Sequence, residues 1–222
     1  MRPFAWAFRS VVPATLSAEV AFAERLTACG VRLATRRLAV GDEAAFPDPS
    51  EPLARRRASG AARLAARAAL AELGGPADAA LPRARGGFAI WPAGLRGSLA
   101  HDEGLAVAVA ARKADIAALG VDVEPAAALP GDVAEIALLP CEKRASIGDP
   151  ASARAIFAAK EAVYKAINPL DGAAPEYEDI EVDLAARRAR LRDGRALRLD
   201  FARLGFLEAE RWIVVAYAPA RG

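Results

Sequence analysis

Four short stretches of this 222-residue chain combine residue types and spacings that suit chemistry. In Val121-Asp122-Val123-Glu124 the acids are two apart, so on a β-strand both carboxylates face one side and the valines the other. Paired carboxylates repel unless solvent or a cation screens them, and carboxylate oxygens are what a hard cation such as Mg²⁺ takes. The same pattern occurs on solvated edge strands, so both readings stand here. In Phe157-Ala158-Ala159-Lys160-Glu161-Ala162-Val163-Tyr164-Lys165-Ala166, Glu161 and Lys165 share one helical face in the favourable order. An exposed pair of that kind is worth only about 0.3 to 0.5 kcal/mol. Gly97-Ser98-Leu99-Ala100-His101-Asp102 sets a histidine at an expected loop-to-strand junction, fit for a phosphate contact or for a structural role. Arg55-Arg56-Arg57 with Arg63 and Arg67 opens a helix, where arginines grip anions or merely meet solvent.

The lysines sharpen the second stretch. Of 30 basic residues only Lys113, Lys143, Lys160 and Lys165 are Lys, and two of the four fall within six positions. An ammonium is a compact point charge, which Arg does not replace on a phosphate. Alanine makes up about a quarter of the chain, a profile in which many arginines are default surface residues.

Composition removes several classes. With 54% hydrophobic residues the chain is globular, and 222 residues suit one domain or two small lobes sharing a core. A net charge of +2 argues against nucleic-acid binding. His101 is the single histidine, which excludes HExxH and multi-histidine metal centres. Cys29 and Cys141 make neither a disulfide framework nor a zinc site, as expected of a reduced, cytoplasmic protein. Met1 to Gly30 has some signal-like character, but Pro13, Glu19 and Glu24 break its apolar run. No window is apolar enough for a spanning helix, so no membrane association is expected.

These stretches need elements to hold them. Three prolines in Phe46 to Pro52 make a loop, Ser50 is a candidate cap, and a helix is expected from about Pro52 to Leu73, stopped by Gly74-Gly75-Pro76. Leu64, Ala68 and Ala71 fall on one of its faces, and Pro82 to Arg96 reads as irregular. Strands are expected at Leu105 to Val109, Gly120 to Glu124, Ile180 to Leu184, Ala189 to Leu199 with a turn at Asp193-Gly194, and Trp212 to Tyr217. A second helix should span Ser152 to Ile167 and stop at Asn168-Pro169. Each half pairs one long helix with short strands, giving an α+β chain of two similar lobes.

In order, Gly97 to His101, Gly120-Val121-Asp122-Val123-Glu124-Pro125 and Phe157 to Ala166 resemble the three signature motifs of the 4′-phosphopantetheinyl transferases. The similarity is to the monomeric type that primes surfactin and enterobactin synthetases. Arg63 to Gly74 and Trp91 to Ser98, a WPxGxxGS stretch, resemble the enterobactin branch, and Glu142 stands where the family often has a glutamate. Roughly Arg56 to Leu184 is covered.

The resemblance implies transfer of the phosphopantetheine arm of coenzyme A to a serine of a peptidyl, aryl or acyl carrier protein, releasing adenosine 3′,5′-bisphosphate. It implies Mg²⁺ held by Asp122, Glu124 and Glu161, with Glu161 as ligand, base or both, and Lys165 acting at the reacting phosphate. Coenzyme A contacts would fall to Arg56, Arg57, Arg63, His101, Lys160 and Lys165. The fold implied is a pseudo-twofold monomer, each lobe a long helix on a small, mainly antiparallel sheet. Residues 1–111 would form the coenzyme A side and 112–222 the metal and catalytic side, with the site between them. Lys143 and Arg144 would lie on a rim that docks the carrier, and the WPxGxxGS stretch favours nonribosomal peptide or siderophore synthesis. A non-catalytic member of the same fold, binding coenzyme A or a carrier, is the alternative. Two departures motivate it: Ala100 stands where the family has Ser or Thr, and Asp102 puts a carboxylate beside the histidine. A Gly-Lys-Pro motif of some relatives is absent, leaving Arg83, Arg85 or Arg96 to stand in for its lysine.

Overall fold

The computed structural model describes residues 14–172, 175–206 and 209–220. Helix α1 (Ala14–Ala28) leads into strand β1 (Val31–Arg37), a 3-10 turn at Asp42–Ala45 and the long helix α2 (Leu53–Ala71). Strands β2 (Leu95–His101), β3 (Leu105–Arg112) and β4 (Ile116–Pro125) follow. Short helices α3 (Gly131–Ala137) and α4 (Pro140–Ala145) precede the long helix α5 (Pro150–Asp171). Strands β5 (Ile180–Asp183), β6 (Arg188–Leu191), β7 (Ala196–Phe206) and β8 (Ala209–Pro219) close the order. Two antiparallel sheets result, β1-β3-β2 and β4-β8-β7-β6-β5. The expected α+β class is what the chain forms.

Each sheet has its own helix. Ala65, Ala66, Ala69 and Leu70 of α2 bury against Ala108 and Ala110 of β3, while Ala158, Ala159, Ala162 and Val163 of α5 bury against Val214 and Ala216 of β8. Alanines at these contacts let helix and sheet approach closely. The opposite faces of the sheets share a third core, in which Val107 and Val109 cluster with Val121, Val123 and Val215, completed by Phe22 and Leu26 of α1. Continuous apolar β3 is therefore buried on both faces.

Two glycines set spacings that matter below. A Cβ on Gly120 would fall 1.9 Å from the Ala162 carbonyl oxygen, so α5 lies directly on β4 there. A Cβ on Gly97 would fall 2.4 Å from the indole of Trp91, so the ring packs closely against β2. The WPxGxxGS stretch is thus a loop folded back onto its own strand.

The structure corrects several local expectations. Helix α5 continues through Asn168-Pro169 to Asp171 and ends at Gly172, whose φ of 68° and N–H to the Asn168 carbonyl finish the turn. Pro169 has no N–H to give the Lys165 carbonyl, and the helix ends two residues beyond it. Pro52 rather than Ser50 is the residue before α2, and the Ser50 hydroxyl donates to Asp48 instead. Ala68 and Ala71 lie on the exposed face of α2, the buried face being the one marked by Ala58, Ala62, Ala65 and Ala69. The irregular stretch ends at Gly94 and β2 already begins at Leu95, so His101 is the last residue of a strand, before the hairpin to β3. Within the signal-like stretch, residues 1–13 lie outside the described residues and Ala14 onward is α1. Among the described residues no helix is long and apolar enough to cross a membrane.

Candidate active site

The carboxylates lie on the two sides of the crossing of β4 and α5. Alternation along β4 turns Val121 and Val123 into the shared core and leaves Asp122 and Glu124 on the α5 side. Because Gly120 lets α5 settle onto β4, Glu161 and Lys165 come opposite those acids. Lys165 Nζ donates to Asp122 Oδ1 at 2.6 Å, Arg154 reaches Glu124 Oε2 at 2.9 Å, and the Tyr177 hydroxyl donates to Glu161 Oε1. Arg154, Ala158, Glu161 and Lys165 recur at helical spacing on one face of α5, so the sequence period contained Arg154. Tyr177 had no comparable signal, since it lies beyond the helix, in a 3-10 turn before β5.

The charges of these acids bear on one another. Burial pushes the Asp122 carboxyl up to about 6; Lys165 pulls against this, while Glu124 and Glu161 add to it. Burial also raises Glu124, offset in part by Arg154 and Lys165. Asp122 Oδ2 is buried without a hydrogen-bond partner. An orphaned carboxylate oxygen among mutually repelling acids is what a hard cation relieves, so the donor set fits Mg²⁺. As arranged, each acid is engaged by a different side chain, and no three His, Cys, Asp or Glu among the described residues converge as a ligand cluster.

A cleft of about 600 Å³ opens beside Lys165. Arg63, Arg83, Arg96, Lys113 and Lys165 give it a cationic lining, His101 adds a polar ring, and Phe88, Ile90, Trp91 and Tyr164 give it apolar walls. Burial, then the charges of Lys165 and Arg55, hold the His101 imidazole below its ordinary value, so it is a neutral hydrogen-bonding ring at pH 7. Burial first, then Arg83 and Arg67, push Arg63 down to about 10. A second hollow of about 450 Å³, lined by His101, Glu124, Arg154 and Arg211, meets the first at His101.

Not every expected contact residue faces this cleft. Arg63 does, while donating to the Leu81 and Ser59 carbonyls and lying 4.0 Å over the Phe46 ring. Arg57 is paired with Glu43 at 3.1 Å, and neither it nor Arg56 lines the cleft. Lys160 is fully buried and paired with Glu142 at 2.8 Å, which removes it from coenzyme contact. Of the three stand-ins for the missing lysine, Arg83 and Arg96 line the cleft and Arg85 does not. Lys113, at the β3–β4 turn, is a lining cation that sequence reasoning passed over. Lys143 of the expected rim is paired with Glu135.

The two departures turn out to be structural. Ala100 is buried in the core between the sheets, so its missing hydroxyl is not missed in the cleft. Asp102 accepts from the Gly104 and Leu105 N–H groups to close the hairpin and is paired with Arg211 of β8. Its charge is therefore satisfied within the fold.

Family models match two parts of the chain. The 4′-phosphopantetheinyl transferase N-terminal domain matches residues 49–111, and the 4′-phosphopantetheinyl transferase superfamily matches residues 118–214. Among curated proteins, the chain is 40% identical over 126 residues to 4′-phosphopantetheinyl transferase Svp of Streptomyces mobaraensis, covering 54% of this chain and 51% of that one. It is 44% identical over 119 residues to 4′-phosphopantetheinyl transferase Npt of Nocardia iowensis, covering 52% and 53%. It is 36% identical over 124 residues to 4′-phosphopantetheinyl transferase PptT of Mycobacterium tuberculosis, covering 54% of each. The chain spans about half the length of the curated relatives it matches.

Proposed function

The chain belongs to the 4′-phosphopantetheinyl transferase superfamily, and from that premise we propose that it transfers the phosphopantetheine arm of coenzyme A to a serine of an apo carrier protein, leaving adenosine 3′,5′-bisphosphate. The observation that carries this reading is the juxtaposition of Asp122, Glu124, Glu161 and Lys165 at the edge of a cationic cleft.

Coenzyme A binds in the cleft, its phosphates among Arg63, Arg83, His101 and Lys165 and its apolar parts along Phe88 and Trp91. Asp122, Glu124 and Glu161 would hold Mg²⁺, which when bound offsets the negative charge that grows on the pyrophosphate. Lys165 and His101 hold the pyrophosphate oxygens in place for in-line attack. The serine Oγ attacks the β-phosphorus, its bond to the bridging oxygen breaks, and that oxygen leaves with the nucleotide. The Glu161 oxygen that Tyr177 leaves free accepts the serine proton.

Residues 1–111 supply most of the cleft and 112–222 the carboxylates, so one chain contributes both sides and is read as a monomer. Free Cys29 and Cys141 suit a cytoplasmic setting. The WPxGxxGS stretch keeps a peptidyl or aryl carrier of nonribosomal peptide or siderophore synthesis as the favoured acceptor. Against a non-catalytic binder stands the structural use of Ala100 and Asp102, which leaves all four candidate catalytic side chains in place. The test is in-gel transfer from a fluorescent coenzyme A thioether to an apo carrier. Glu161→Ala and Asp122→Ala are expected to abolish labelling while retaining coenzyme A binding; full labelling by either variant would overturn the reading.

A further inference from the structure

The Tyr177 hydroxyl donates to Glu161 Oε1, and the surroundings of Tyr177 are unusually well fixed. Its ring leans on Phe157 of α5, centroids 5.9 Å apart. Its backbone carbonyl accepts from Lys160 Nζ at 2.9 Å. Lys160 is fully buried, and its partner Glu142 accepts from the Leu139 N–H at 2.7 Å and the Val182 N–H at 2.8 Å. One buried ion pair thereby joins α4, α5, the turn carrying Tyr177 and β5. The phenol at its end touches the one carboxylate of the site that comes from α5.

We propose that Tyr177 is a positioning residue for Glu161, fixing its carboxylate against the acids of β4, and that the Glu142–Lys160 pair acts through Tyr177. The inference rests on the metal-dependent transfer proposed above. The physical reason is conformational. A glutamate on a helix has three side-chain torsions to restrict, and one hydrogen bond to a rigid, packed phenol restricts them before any ligand arrives. Carboxylates that hold metals depend on such partners, whose removal typically costs about 10- to 100-fold in affinity or activity. Lys160 thus serves the site without touching coenzyme A.

The variant is Tyr177→Phe, which keeps the ring on Phe157 and removes only the hydroxyl. Mn²⁺ binding, read by water-proton relaxation without acceptor or turnover, is expected to weaken about tenfold. In the transfer assay the Mg²⁺ needed for half-maximal rate should rise by a similar factor, with KM for coenzyme A changed less than about twofold. Thermal melting should stay close to that of the parent, which a merely structural role for the hydroxyl would not predict. An active parent whose Tyr177→Phe variant matches it in Mn²⁺ affinity and Mg²⁺ demand overturns this inference alone. A parent that neither binds Mn²⁺ nor transfers overturns the proposed function, and this inference with it.

Discussion

Gly120 of β4 lies so close under Ala162 of α5 that an added Cβ would sit 1.9 Å from the Ala162 carbonyl oxygen and 2.6 Å from the Ala166 nitrogen. That approach puts Glu161 and Lys165 opposite Asp122 and Glu124, since all four flank the same crossing. The glycine at the head of Gly120-Val121-Asp122-Val123-Glu124 is therefore as much part of the site as the acids.

Gly120→Ala should push α5 off β4. Overpacking of this kind costs about 1 to 3 kcal/mol, and the displacement should lower kcat more than the stability loss explains. Urea denaturation beside transfer rate checks it; a variant with parental stability and rate would show that the contact yields without disturbing the site.

The Glu142–Lys160 pair should behave as a buried ion pair rather than as coenzyme-binding machinery. Its side chains are 1% and 0% exposed. Removing one partner, as in Lys160→Met, strands the other charge and should cost about 3 to 5 kcal/mol. Replacing both by apolar residues should cost less than the sum of the single changes. Calorimetry of the two singles and the double gives the comparison, and additive losses would contradict it.

Asp102 and Arg211 should act as a tie between the β2–β3 hairpin and β8. Both side chains are about one-tenth exposed. Asp102→Ala should raise KM for coenzyme A, because His101 is the neighbouring residue, with little change in kcat. Asp102→Asn, which keeps an acceptor for the Gly104 and Leu105 N–H groups, should lose less than Asp102→Ala. Unchanged KM in Asp102→Ala would leave the hairpin to its backbone bonds alone.

Acid sensitivity should trace in part to Asp42, in the 3-10 turn before α2. Burial raises the Asp42 carboxyl, but the Arg36 hydrogen bonds and the Ala39 N–H outweigh it and hold the group below its ordinary value. A depressed folded value means that its stabilisation is present above the unfolded value of about 4 and is lost as pH falls through the folded one. With Arg36 partly exposed, Asp42→Asn should cost about 2 kcal/mol at pH 7 and less as pH drops below 4. Melting curves across that range test the sign, and a cost that grows on acidification would be the wrong one.

The acidic strand was legible because period-two alternation fixes which side Asp122 and Glu124 take, and the second helix because its apolar spacing is regular. Strands β1 and β2 were not, since Val31 to Arg37 and Leu95 to His101 are rich in Ala, Arg and Gly and carry little β preference. In an alanine-rich helix every face looks apolar, so the spacing of Leu64, Ala68 and Ala71 does not mark which side of α2 is buried. Lys160 read as a ligand cation because its burial against Glu142 depends on a contact 18 positions away. Tyr177 and Arg211 reach their acids only after β5 and β8 have joined the sheet, which no local pattern records.

The most direct measurement is the intact mass of an apo carrier protein incubated with this protein, coenzyme A and Mg²⁺, with a parallel sample in EDTA. The expected result is a gain of about 340 Da, the phosphopantetheine arm, on one serine, and no gain in EDTA. Carrier of unchanged mass, across peptidyl, aryl and acyl types and with coenzyme A shown to bind, would contradict transfer and leave a binding protein.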